Sequence, residues 1–124
     1  MPKYSSNINL EKLSKLSKGG VNKDIKYLNQ FAEMIPLSLK KLKHAIDKND
    51  RRLIMLELHF MSPQLLFFGI NDTSLLMEKE QSNKGLTSNS LKDALEEAII
   101  NIEKAVSEVE LLIESKSNRP FHEA

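Results

Sequence analysis

A chain of 124 residues and 14.1 kDa is the size of one ordinary domain, long enough to bury a core without covalent staples. Its 18 basic and 17 acidic side chains nearly cancel, so no bulk field draws it to nucleic acid or to an anionic membrane, and partners must be recognised locally. The lack of cysteine excludes a disulfide framework, a zinc ribbon and a thiol nucleophile, and fits a reducing cytosol.

No apolar run reaches the roughly 18 residues that a membrane span needs, and the opening MPKYSSNINL has no signal-peptide hydrophobic region. The expectation is a soluble, cytoplasmic chain without membrane insertion. Residues 1–8 read as a flexible N-terminus, 9–114 as a helical bundle and 115–124 as a tail.

In chain order, Leu10, Leu13 and Leu16 mark a short amphipathic helix that stops at Gly19-Gly20, because glycine readily takes the left-handed conformation after a last turn. Asn22 is placed to cap a long helix. Its apolar residues Ile25, Leu28, Ala32, Ile35, Leu39, Leu42 and Ile46 recur three and four apart, which makes a seam facing a bundle. Pro36 lies inside that seam, and since the seam keeps its phase a kink is expected there rather than a break.

The polar connector Asp47-Lys48-Asn49-Asp50 is short, so the next helix, about 50 to 69, should return antiparallel and end at Gly69. A further piece from Asp72 to Gln81 carries Leu75, Leu76 and Met77. It gives way to the polar loop SNKGLTSNS, whose one packing residue is Leu86. Ser90 is a candidate cap for a last helix with the seam Leu91, Leu95, Ala98, Ile102, Ala105, Val109 and Leu112. No segment alternates as a strand would. The fold expected is all-α, an antiparallel up-down four-helix bundle with a short extra N-terminal helix.

The most apolar stretch, Leu53 to Ile70, carries a histidine in its middle. On a helix, Ile54, Leu58, Met61, Leu65 and Phe68 form a core row, while His59 shares another face with Met55, Leu56, Ser62, Pro63 and Leu66. That phase puts His59 off the core, on a face rimmed with apolar residues that a monomer would not ordinarily expose. The plain structural reading is a partly buried histidine on an over-hydrophobic helix.

The spacing of Ala45, Asp50, His59 and Gly69, together with FAEMIPLSLKKLKHAIDKND upstream, resembles the signature of histidine phosphotransfer (HPt) domains of two-component phosphorelays. The resemblance covers about residues 9 to 114. It implies that His59 is the phospho-acceptor, that Met61 holds the apolar place two beyond it, and that Gln81 stands where some members have a glutamine reaching back towards the histidine. Three positions depart from the family pattern: Ser62 replaces a lysine, Pro63 a glycine and Leu58 a small residue.

What the resemblance implies is a phosphocarrier rather than an enzyme. An imidazole takes a phosphoryl group from a receiver-domain aspartate and passes it to another receiver, and the partners are response-regulator receivers and a hybrid sensor kinase. Near pH 7 an ordinary imidazole is largely unprotonated and nucleophilic, which suits the chemistry. The domain itself needs no cofactor; Mg²⁺ is expected on the receiver, which supplies most of the electrostatic stabilisation. Ser62, Pro63, Gln81 and Arg52 are the residues expected near the phosphate, and Met55, Leu56 and Leu66 the docking patch. Gly19-Gly20 alone does not make an ATP site, and His44 and His122 lie in no ligand cluster. An adaptor that binds receivers without phosphotransfer, and a purely structural bundle, are the alternative readings.

Overall fold

The computed structural model describes residues 8–81 and 87–118, and among these it is all-helical. The helices are α1 (Glu11–Ser17), α2 (Val21–Asp47), α3 (Arg51–Phe67), α4 (Asp72–Gln81) and α5 (Ser88–Asn118). Packing links α1 to α2, and joins α2 to α3, α3 to α4, α4 to α5 and α5 back to α2. Among the described residues no helix is long and apolar enough to cross a membrane. Expectations for positions 1–7, Leu86 and His122 lie outside the described residues.

Residue pairs along α2 step in the opposite chain direction to their partners on α3 and on α5. Along α2 and α3, Ala45 meets Asp50 at one end and Phe31 meets Phe68 at the other, their rings edge to face with centroids 4.7 Å apart. Such a pair contributes about 0.5–1.5 kcal/mol beyond its buried area. Along α2 and α5, Lys43 pairs with Glu103 at 2.8 Å and Asp24 with Lys116 at 3.4 Å. The first of these bridges is half exposed on both sides and adds little; the apolar seams beneath it hold the two helices together.

Most of each seam falls where the periodicity puts it, while Ile25, Ala32, Ile46 and Leu112 are only partly buried. Leu28, Ile35, Leu39 and Leu42 of α2, the row Ile54, Leu58, Met61, Leu65 and Phe68, and Leu91, Leu95, Ala98, Ile102, Ala105 and Val109 of α5 are all buried in one core. Phe31 and Ala45, outside the expected α2 seam, are fully buried as well. α2 is continuous through Pro36.

The helix ends differ from expectation in four places. Gly20, not Asn22, precedes α2, and no side chain caps it. Lys18 already takes the left-handed conformation with φ 53°, one residue before Gly19 at φ 82°. Thr87 rather than Ser90 caps α5: its Oγ1 accepts from the Ser90 amide at 3.1 Å and its carbonyl from Leu91 at 2.8 Å. Lastly, α5 runs on through Asn118, so residues 115–118, expected in the tail, belong to the helix.

Candidate functional site

The site is carried by α3, and both ends of that helix are fixed by residues that define the spacing. The Asp50 amide donates to the carbonyl of buried Ala45 at 3.0 Å, closing the α2–α3 turn. The Asp50 carboxylate accepts from the Leu53 amide at 3.1 Å, a helix N-cap that contributes about 1 kcal/mol. At the far end Gly69 adopts φ +83°, and a Cβ built there would stand 2.6 Å from the Cβ of Asn9. Only glycine meets both demands. The Asn9 amide also donates to the Phe68 carbonyl at 2.7 Å, tying the chain before α1 onto the end of α3. Ala45, Asp50 and Gly69 thus each have a structural task, and His59 has none.

His59 is exposed near the middle of α3. Its imidazole makes no hydrogen bond or ion pair with any described residue, and its one aromatic neighbour is Phe60, with ring centroids 6.2 Å apart and a 50° tilt. Leu56 and Leu66 are exposed beside it, as the phase requires. Met55 is half-buried and packs against the core, so it belongs only partly to this surface. Phe60 was missed because attention to the i±3 and i±4 neighbours passes over i+1, yet at 63% exposure it is the most exposed large apolar residue of α3. The result is a nucleophile-bearing side chain open to solvent within an apolar surround that none of the described residues covers.

Ser62 does not share this surface. It is 4% exposed and turned to α4, where its hydroxyl lies 2.6 Å from the Leu58 carbonyl and 2.6 Å from the Thr73 hydroxyl. The expectation that Ser62 stands beside the phosphate is therefore corrected: α4 packs over the flank of α3 between His59 and the core row. Pro63 is exposed and, having no amide, offers no donor to the His59 carbonyl one turn before. α3 nevertheless runs unbroken past it to Phe67.

Arg52, two turns before His59, is exposed and on the same side of the helix, about 10 Å away along the axis. Gln81 is exposed at the end of α4 and makes no hydrogen bond to His59. Along the α3–α4 contact Ser62 faces Thr73 and the Arg51 guanidinium pairs with Glu80 at 2.9 Å.

On the α2 side, sequence reasoning passed over Glu57. It is a buried carboxylate in a groove of about 380 Å³ shared with Lys40, Lys41, His44 and Leu53. Its signal was available: a charge on the core-facing half of an apolar helix stands out from the pattern around it. Among the described residues, no group of three His, Asp or Glu side chains is placed to hold a metal ion. Compared with family models, curated proteins and solved structures, the chain finds no match.

Proposed function

We propose that this chain is a phosphorelay intermediate, an up-down four-helix bundle of the HPt kind in which His59 accepts a phosphoryl group from a receiver-domain aspartate and passes it to a second receiver. The observation that carries the reading is the exposed imidazole of His59, without a hydrogen-bond partner among the described residues and set among exposed Phe60, Leu56 and Leu66. In the transfer an imidazole nitrogen attacks phosphorus, the bond from phosphorus to the aspartyl oxygen breaks, and the carboxylate leaves; the reverse sequence reloads a receiver. The apolar surround gives a receiver something to bury while water is kept from the phosphoryl group. A receiver and its kinase are the expected partners, with Mg²⁺ held by the receiver, and the cytoplasm is the expected setting.

A second reading, a receiver-binding adaptor without transfer, is favoured by one observation. The position that carries a lysine in HPt domains is the buried Ser62, so no cation stands one turn beyond His59 to neutralise the phosphoryl oxygens. Arg52 is the nearest substitute on that face of α3.

The two readings separate on the decay of a pre-phosphorylated receiver. Under the first, stoichiometric addition of the chain drains phosphate from the receiver, and His59→Gln stops this while still binding. Under the second, chain and variant bind alike and neither speeds the loss.

A further inference from the structure

The near-neutral total conceals a segregation of charge. α2 holds five Lys against three Asp or Glu, whereas α5 holds seven Asp or Glu against three Lys. Exposed apolar residues follow the same division. Among the described residues five large apolar side chains are more than half exposed: Phe60 beside His59, Met34 and Leu37 on α2, and Ile100 and Leu111 on α5. Each of the two oppositely charged helices therefore carries an uncovered apolar centre on its outer side.

We propose that the outer face of α2 binds the outer face of α5 of a second copy of this chain, the two helices lying antiparallel with Leu37 on Ile100. In that register Lys40 stands opposite Glu97, Lys41 opposite Glu96, and Glu33 opposite Lys104, all six exposed and none in an ion pair or hydrogen bond among the described residues. Facing positions on two helices recur every three to four residues. The set 33, 37, 40/41 on α2 and 104, 100, 97/96 on α5 keeps that step in opposite directions.

The pair Glu33 and Lys104 decides for a second copy over an unrelated acidic partner. It reverses the sign of both faces at the same step, so the faces match residue by residue and not merely in bulk. The match is not one within a single chain, where α2 and α5 already pack through their buried sides with Lys43 level with Glu103. Because the contact joins two different surfaces, a pair of copies keeps one α2 face and one α5 face free, and assembly need not stop at two. The inference does not involve His59 and stands whether or not phosphate is transferred there.

Sedimentation equilibrium of the whole chain tests it. The expected result is a mass that rises with concentration at low ionic strength and returns to 14.1 kDa near 1 M salt, where the screening length is about 3 Å. Lys40→Glu with Lys41→Glu, and separately Glu96→Lys with Glu97→Lys, should each leave the chain monomeric with an unchanged circular dichroism spectrum. An equimolar mixture of the two variants should associate again, since the reversed faces fit each other. Leu37→Asp, which alters no charged pair, should also abolish association. A wild-type mass constant to millimolar concentration, association that survives both reversals, or a mixture no heavier than its components overturns the proposal.

Discussion

The hydroxyl oxygens of Ser62 and Thr73 lie 2.6 Å apart inside the α3–α4 contact. Ser62 also donates to the Leu58 carbonyl at 2.6 Å, so its proton is spoken for and Thr73 is left as the donor between the two. Both residues are buried, and a buried polar group that loses its partner costs about 1–3 kcal/mol. Ser62→Ala should therefore lower unfolding stability in urea by about 1–2 kcal/mol.

Ser62→Lys should do much worse. Restoring the lysine of HPt domains would force an ammonium into the α3–α4 contact, where desolvation opposes it by several kcal/mol. The expected outcome is a loss of about 3 kcal/mol or more, or an unfolded chain, and no gain in transfer rate. A stably folded Ser62→Lys variant with faster transfer would show that α4 moves aside.

Gly69→Ala combines a left-handed φ with a steric conflict against Asn9. A cost above about 2 kcal/mol is expected, and Asn9→Gly in the same chain should recover the part due to the Asn9 side chain, while the conformational share, about 1 kcal/mol, and the tight approach of the residue 9 backbone at 3.2 Å remain. Gly19→Ala, where φ is +82° but nothing stands within 4 Å, should cost only that smaller share. Chemical denaturation of the three variants separates the two contributions.

The docking face is tested on Leu56 and Phe60 rather than Met55. The first two are exposed, and a change there should move stability by no more than about 0.5 kcal/mol. Met55 packs against the core, so Met55→Glu confounds folding with binding. Leu56→Glu and Phe60→Glu should weaken receiver binding by at least about 1.4 kcal/mol, or tenfold, with an unchanged thermal midpoint. Calorimetric titration with a receiver reads this directly, and undiminished binding in both variants would move the docking face elsewhere.

How far the chain could be read beforehand follows from what each feature depends on. The α5 seam and the Leu58 row depend only on helical period, and both are buried as expected except for partly buried Leu112. The exposure of His59 follows from the same phase. Ser62 could not be placed this way, since it lies between the core row and the histidine, and only the packing of α4 decides that its flank is covered. Gln81 poses a related difficulty, because a separation of twenty-two residues says nothing of register, which the packing of α4 on α3 decides. Helix starts were misjudged because Asn22 and Ser90 are good caps by residue type, while the turn geometry at Gly20 and Thr87 selects the actual ends.

The central claim, that His59 receives a phosphoryl group, is tested most directly by mapping the phosphate itself. The chain is incubated with a receiver charged on its aspartate and Mg²⁺, quenched in alkali, digested and fragmented by mass spectrometry, with His59→Gln beside it. The account predicts one acid-labile, alkali-stable phosphate on the peptide carrying His59 and none on the variant. Phosphate on the chain at any other residue, or retained by His59→Gln, would contradict it, as would a receiver that binds the chain tightly and never yields its phosphate.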